Sequence, residues 1–171
     1  MRFPVPTRQL LALVVAPLLF TACSTGHSIA KGEWKMSPCP SGIENDGVQS
    51  YDLVCREPVS NHTRVKHILI GWKELATPTH PVDPRAANRT YAQARELALS
   101  LLAKLRGGEA IDPLMKEYSE DAGSAQSGMV FDVRPDSGLV PSFKALGLRL
   151  NVGEAGIVQS EFGLHVIQRV E

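Results

Sequence analysis

Two stretches of this 171-residue chain decide its fold: RVKHILI at residues 64–70 and LHVIQRV at residues 164–170. Both are rich in aliphatic and β-branched residues. Each is bounded by a glycine, Gly71 after the first stretch and Gly163 before the second, which is typical of β-strands. Strands at both ends of a segment, with helical periodicity between them, predict a small α+β domain.

The segment between these strands predicts helices and two further strands. Thr90 and Gln93 have the spacing of a capping box, and the apolar residues after them recur at helical intervals until Gly107. A second, shorter helix is predicted to open at Asp112 and Pro113. The predicted order is β-α-α-α-β-α-β-β, with strands at residues 129–133 and 156–159, a short helix around residues 143–150 and a long loop over residues 71–89.

The composition excludes several classes of protein. The chain has 18 lysines and arginines against 18 aspartates and glutamates, so its formal net charge is zero. Hydrophobic residues make up 43% and charged residues 21%, which is ordinary for a globular protein. These values exclude a wholly disordered chain, a polytopic membrane protein and a fibrous rod. Because phosphate binding normally requires clustered positive charge, nucleic acid is not an expected partner.

Residues 1–22 have the pattern of a secretory signal peptide, with two arginines, a short apolar run that ends at Phe20, and small residues after it. The apolar run is too short to span a bilayer comfortably. Cys23 resembles the lipidated cysteine of bacterial lipoproteins, although Phe20 stands where that motif prefers leucine. We therefore expect a lipid anchor on Cys23, and the serine after it favours the outer membrane, facing the periplasm. The alternative is an ordinary secreted protein.

Residues 23–63 are rich in glycine, serine, proline, asparagine and aspartate and show little periodicity. They predict a tether in front of a folded domain at residues 64–171. Cys39 and Cys55 lie in this tether, and a pair of cysteines in an exported protein predicts a disulfide. Such a disulfide is worth about 3 kcal/mol in the chain-entropy model. The alternatives are two free thiols or two metal ligands, but no histidine stands at zinc-like spacing.

A histidine interrupts the apolar run of each deciding strand, His67 in the first and His165 in the second. Each could be a separate core histidine with its own polar partners. A neutral imidazole needs one donor and one acceptor partner, so two histidines on neighbouring strands can satisfy each other. The sequence suggests this pairing without establishing it.

Five segments, in matching order and spacing, resemble the parvulin-type peptidyl-prolyl cis–trans isomerases. They are VKHILI at 65–70, EYSED at 117–121, LVPSF at 139–143, GE at 153–154 and FGLHVI at 162–167. The resemblance covers residues 64–171 and, with the N-terminal motif, suggests a bacterial lipoprotein form of the family. It implies a four-stranded antiparallel sheet surrounded by helices, with a shallow site for a proline ring.

The resemblance also implies roles for nine residues. The expected catalytic residues are His67 and His165, paired across the sheet, Asp121, facing the imide carbonyl, and Ser160, joined to the histidines. The expected substrate-binding residues are Leu69, Phe131, Leu139, Phe143 and Phe162. Simpler interpretations remain for some of them. Asp121 could cap the loop after the second helix, Phe131 and Phe143 could be core residues, and Ser160 could be an ordinary loop serine.

The sequence departs from the family in one segment. Many parvulins carry GGDLG after the SED segment, whereas residues 128–132 read GMVFD here. The missing glycines change the backbone freedom beside the expected pocket. In the loop at 71–89, where some parvulins bind phosphorylated substrates, Arg85 and Arg89 could do the same, but a solvated loop is the simpler interpretation.

The implied activity is rotation about X-Pro bonds in unfolded exported proteins, catalysed without covalent chemistry and without a cofactor or metal. The expected partners are proline-containing segments of those proteins and, through Cys23, a membrane; the protein is expected to be a monomer. Two alternatives remain. One is a parvulin-shaped chaperone or peptide-binding lipoprotein with little catalysis, and the other is a structural adaptor of the cell envelope.

Overall fold

A four-stranded antiparallel sheet forms the centre of the computed structural model, which describes residues 39, 43, 45–77 and 81–171. These residues all belong to one unit, Met36–Glu171. The predicted signal peptide at residues 1–22 and the predicted lipidation site Cys23 lie outside the described residues. The strands are β1 (Thr63–Ile70), β2 (Phe131–Val133), β3 (Ala155–Ser160) and β4 (Gly163–Arg169).

The order of strands in the sheet is β2-β1-β4-β3. The first and last strands are therefore the two central ones, with Leu69 opposite His165 and His67 opposite Ile167. This arrangement confirms the predicted fold class. It also meets the condition for the two histidines to be neighbours.

Six α-helices and a 3₁₀ turn surround the sheet in the described part of the chain. The long helix begins after Thr90, whose side chain forms the predicted capping box with Gln93. The helices are α1 (Tyr51–Val54), α2 (Pro84–Ala87), α3 (Tyr91–Arg106), α4 (Ile111–Tyr118), α5 (Ala122–Ser127) and α6 (Pro141–Gly147), and the 3₁₀ turn is Lys73–Leu75. No helix among the described residues has both the length and the apolar character needed to cross a bilayer.

The segment at residues 71–89 is not the plain loop that the sequence predicts. It contains the 3₁₀ turn and α2. The helix α2 forms because the side chain of Asp83 accepts a hydrogen bond from the N–H of Arg85 and Pro84 occupies the first turn, where a missing N–H costs nothing.

Each face of the sheet is covered by its own group of buried residues. The helices α3 and α4 cover one face, with residues such as Leu101, Leu114 and Ile68. The helices α6 and α1 cover the other face, with residues such as Leu146 and Val65. A sheet buried on both sides places the two histidine-bearing strands in the interior, away from water.

Part of the segment predicted as a tether belongs to the folded core. Val48, Leu53 and Val54 are buried, because the short helix α1 packs against the sheet with α6. Ser50 covers the outer edge of β3, since its N–H donates to the carbonyl of Ile157 and its hydroxyl accepts from the N–H of the same residue. The sequence missed this because the four residues of α1 are too few to show a helical period.

The two cysteines of the predicted disulfide lie at the N-terminal side of this unit. The sulfur atoms of Cys39 and Cys55 are in bonding contact.

Gly163 illustrates how closely the central strands approach each other. Its φ is +143°, and a Cβ at this position would lie 2.6 Å from the carbonyl oxygen of Ile70, so only glycine fits at the start of β4.

Candidate active site

His67 and His165 meet in the middle of the sheet. Both side chains are buried, and their Nδ1 atoms lie 3.2 Å apart although 98 residues separate them in the chain. The two residues are diagonal neighbours on adjacent antiparallel strands. Aromatic side chains are long enough to reach each other between such positions. The pairing that the sequence suggested is therefore present in the structure.

Asp121 approaches His67 from the N-terminus of α5. Its Oδ2 atom lies 3.1 Å from Nε2 of His67 and accepts a hydrogen bond of 2.8 Å from the hydroxyl of Ser124. Its Oδ1 atom caps α5 by accepting from the N–H of Ser124. The capping interpretation and the site interpretation of Asp121 are thus compatible, because the cap directs the second oxygen to the histidine.

Ser160 extends the network at the other end. Its hydroxyl lies 2.7 Å from Nε2 of His165, and its oxygen accepts from the N–H of Phe162 at 3.0 Å. The turn between β3 and β4 therefore places Ser160 beside the histidines, as the resemblance implied.

With both imidazole rings neutral, only one assignment of hydrogen-bond donors and acceptors satisfies all of these contacts. Asp121 can only accept, so Nε2 of His67 carries a proton and its Nδ1 accepts from Nδ1–H of His165. Nε2 of His165 then accepts from the hydroxyl of Ser160. These contacts form a row of hydrogen-bonded side chains, Ser160–His165–His67–Asp121, in which every donor faces an acceptor. A buried network that is fully satisfied in this way is rigid.

The electrostatics of the row agree with this assignment. Burial, and to a smaller extent the neighbouring His67, lower the pKa of His165 to about 3, while Asp121 opposes the change. The hydrogen bond with His67 holds the pKa of Asp121 well below its usual range, assisted by the bonds from Ser124 and opposed by partial burial. At neutral pH the row thus contains a neutral His165 and ends, on the far side of His67, in the carboxylate of Asp121, which is partly open to solvent.

Two phenylalanines pack against the histidine pair. The rings of Phe131 and Phe143 lie 5.0 and 5.2 Å from the ring of His67, both edge to face. Phe143 also contacts His165, at 5.5 Å, and is buried, whereas Phe131 is half-buried. Leu139 is half-buried against the same group of residues. An apolar, partly open surface therefore stands directly beside the polar row.

Leu69 and Phe162 lie elsewhere. The structure places them in a neighbouring cavity of about 150 Å³ rather than with the two phenylalanines. Phe162 lies in the turn between β3 and β4 and is 52% exposed.

A family model described as the PPIC-type PPIase domain matches residues 51–171. The chain belongs to this family. The match begins at the first residue of α1, ahead of the domain start at residue 64 that the sequence predicts. The packing of α1 in the core gives the physical reason.

Two curated relatives and two solved structures show how far the likeness of this PPIase domain extends. It is 37% identical over 111 residues to Chaperone SurA of Chromohalobacter salexigens, covering 64% of this chain and 22% of that protein. It is 31% identical over 127 residues to Foldase protein PrsA of Geobacillus kaustophilus, covering 70% and 45%. The chain thus spans less than half the length of either relative.

The solved structures show the same fold. Peptidyl-prolyl isomerase ESS1 from Candida albicans superposes with a TM-score of 0.54 at 21% identity, covering 65% of this chain and 63% of that one. The solution structure of TbPIN1 superposes with a TM-score of 0.54 at 24% identity, covering 66% and 99%.

The altered glycine segment of this PPIase domain is compatible with its backbone. Gly128 has a φ of +66° and ends α5 in the left-handed conformation. Among the described residues no other residue type has positive φ, so Met129 and Val130 are unstrained. Gly128, which the turn requires, is retained, and the backbone at residues 129–132 adopts conformations that do not require glycine.

The two arginines after β1 are already engaged. Arg89 pairs with Glu120 at 2.5 Å and donates to the carbonyl of Gly71. Arg85 binds Asp83 and the carbonyls of Glu117 and Ser119. Arg89 thus holds the loop to the residue that follows β1, and Arg85 holds it to the end of α4. Both guanidinium groups are engaged in contacts within the chain.

The sequence missed two serines of the site. Ser124 is buried and donates to Asp121, and its hydroxyl also lies 3.4 Å from Nε2 of His67. Ser119 is buried and its hydroxyl accepts from the N–H of Leu69. A capping pattern, with Asp121 three residues before Ser124, was the available signal for the first. Within the described residues, no group of three histidine, cysteine or acidic side chains is arranged to hold a metal ion.

Proposed function

We propose that this protein is a peptidyl-prolyl cis–trans isomerase that assists the folding of exported proteins. The observation that carries the proposal is the buried row Ser160–His165–His67–Asp121 with the rings of Phe131 and Phe143 packed against it. An apolar surface suited to a proline ring and a carboxylate suited to face an imide carbonyl lie within one side-chain length of each other.

The physical chemistry of the reaction matches such a surface. Rotation about an X-Pro bond faces a barrier of about 18–20 kcal/mol because twisting the amide removes its resonance. No bond breaks, so the site needs neither a nucleophile nor a cofactor. Planar amides carry more charge separation than twisted ones, so an apolar surface that removes water favours the twisted state. Each 1.36 kcal/mol gained in this way is about tenfold in rate.

The carboxylate of Asp121 also favours the twisted state of the amide. A planar imide has a partly negative carbonyl oxygen, and twisting reduces this charge. A carboxylate held near that oxygen raises the energy of the planar state more than that of the twisted state, which is the differential interaction that catalysis requires. In this proposal the histidine pair holds Asp121 in place, and Phe131, Leu139 and Phe143 hold the proline ring.

The test is cis–trans exchange of short X-Pro peptides, measured by NMR with the full chain. Acceleration by the wild type and loss of acceleration in folded His67→Ala and Phe131→Ala variants would support the proposal. A folded wild type that accelerates none of the peptides would refute it. If that protein still binds proline peptides, the function is that of a peptide-binding chaperone; without binding, the envelope adaptor remains.

We further propose that the protein is exported, processed before Cys23, lipidated there and attached to the outer membrane facing the periplasm. The apolar run and the cysteine at residues 10–23 support this, as does the likeness to proteins named as a chaperone and a foldase. The proposal includes a tether from residue 23, the Cys39–Cys55 disulfide and a monomeric state.

Intact mass spectrometry of the purified protein, before and after reduction, tests the lipid and the disulfide together. Light scattering tests the monomer. An unmodified N-terminal cysteine or two free thiols would refute the corresponding part.

A further inference from the structure

A second cavity lies beside the proposed active site, at the carboxyl end of β1. It has a volume of about 150 Å³, and its apolar wall is formed by Leu69, Leu75, Pro81, Val82, Ala86 and Phe162. Leu69 follows His67 by two residues, so the two side chains share one face of the strand. At about 3.3 Å per residue, the cavity lies about 7 Å along β1 from the histidine pair, within reach of a side chain that neighbours the proline.

The cavity is physically connected to the row of polar groups. The N–H of Phe162, in the turn between β3 and β4, donates to the hydroxyl oxygen of Ser160. Glu120, which also lines the cavity, immediately precedes Asp121 in the chain. A peptide with its proline against Phe131 and Phe143 would therefore place an adjacent side chain at the cavity.

The charges around this cavity do not balance. Three acidic residues line it, Asp83, Glu120 and Glu161, and none of its described lining residues is a lysine or arginine. Arg85 neutralises Asp83 and Arg89 neutralises Glu120. Glu161 is exposed and, within the part of the chain that the structure describes, has no ion-pair partner. One uncompensated carboxylate thus stands at the edge of an apolar cavity.

We propose that this cavity binds the side chain of a lysine or arginine next to the proline of the substrate. The methylene groups of such a side chain would lie along Leu69 and Phe162 while its charged end reaches Glu161, the arrangement that long cationic side chains favour. The same carboxylate disfavours acidic and phosphorylated neighbours. This inference rests on the proposed isomerase function and names the substrates that the site prefers.

The experiment uses the full chain and short proline peptides that carry lysine, norleucine, glutamate or phosphoserine either just before or just after the proline. Norleucine matches the methylene chain of lysine without its charge. In at least one of the two positions, we expect kcat/KM for lysine to exceed that for norleucine about two- to fivefold at low salt, as for a partly exposed ion pair. The advantage should shrink in 1 M salt.

Variants at one position make the test specific. Glu161→Gln should remove the lysine advantage, so that lysine and norleucine peptides exchange at equal rates, and Glu161→Lys should favour glutamate over lysine. Glu96→Gln, an exposed carboxylate on α3, is the matched control and should change nothing.

The outcomes separate the two proposals. Equal rates for lysine and norleucine in both positions, or a lysine advantage that persists in Glu161→Gln, overturn this inference while leaving the isomerase proposal intact. A chain that accelerates no peptide, norleucine included, overturns the isomerase proposal and this inference together.

Discussion

Nε2 of His67 lies 3.1 Å from Oδ2 of Asp121, across 54 residues of sequence. The contact joins the middle of the sheet to the start of α5, and it uses the oxygen of Asp121 that the helix cap leaves free. The cap and the histidine therefore fix the carboxylate from two directions. A group held in this way loses little conformational entropy when a substrate binds.

The charge of Asp121 can be tested separately from its shape. In Asp121→Asn the side chain keeps its size and can still cap α5, but the carboxylate is lost. We expect kcat/KM for X-Pro exchange to fall by about tenfold or more, with the fold retained by circular dichroism. Asp132→Asn, at the exposed middle residue of β2, is the matched control; equal losses in both variants would contradict the role of Asp121.

Ser124 is expected to position Asp121. Ser124→Ala removes a hydroxyl that donates to Oδ2 at 2.8 Å in a buried location. Loss of this bond should cost about 1 kcal/mol of unfolding free energy, lower kcat and leave KM nearly unchanged. Peptide kinetics and urea unfolding measure these effects.

Ser127→Ala provides the comparison for Ser124→Ala. Ser127 lies on the same helix and is exposed, with its hydroxyl bonded to the carbonyl of Gly123. A Ser124→Ala enzyme with unchanged kcat would show that the hydroxyl does not position the carboxylate.

The buried His165 should make the protein sensitive to acid. Its pKa is about 3 in the folded state, against about 6.5 in an unfolded chain. Between these values the unfolded state binds more protons, so the free energy of unfolding falls as the pH falls from 6.5 toward 3. The lowered pKa of Asp121 has the same effect. It makes the free energy of unfolding fall further once the pH drops below the usual pKa of a carboxyl group.

Urea unfolding from pH 7 to pH 3.5 measures this dependence. His165→Gln should remove about 4 kcal/mol of the acid-dependent loss. His62→Gln changes an exposed histidine that pairs with Asp132 and serves as the control. Identical pH profiles for the wild type and His165→Gln would refute the assignment.

The edge contact of Ser50 should contribute to stability. In Ser50→Ala the buried N–H of Ile157 loses its acceptor at 2.9 Å, which should cost about 1–3 kcal/mol. Exposure of the β3 edge should also increase aggregation. Ser100→Ala, on the exposed side of α3, should be neutral in thermal unfolding and light scattering. A neutral Ser50→Ala would contradict the role of this segment.

The parts of the fold that depend on local sequence were predictable. The capping box at Thr90, the four strands and the helices α3 and α4 arise from short-range spacing, and the structure has them close to the predicted bounds. The helix α2 was missed although its Asp-Pro start is a local signal. The packing of α1 was missed because its burial depends on contacts with α6 and β3.

The candidate site shows the same division. His67, Asp121, His165 and Ser160 were predicted from segments that resemble the parvulins, and the structure brings these four together. Phe162 was predicted as a substrate-binding residue, and the structure places it on the wall of the neighbouring cavity, which the sequence did not indicate.

The sequence by itself determined the family, the order of the four strands and the helices α3 and α4, and the two strands that carry the histidines, because periodicity, caps and glycines act over a few residues. Only the tertiary structure decided that Ser50 covers the edge of β3, that Ser124 supports Asp121 and that Arg85 and Arg89 are neutralised within the chain. These are hydrogen bonds and ion pairs between groups brought together by the packing of helices on the sheet. That packing also leaves Glu161 as the unbalanced charge beside the second cavity.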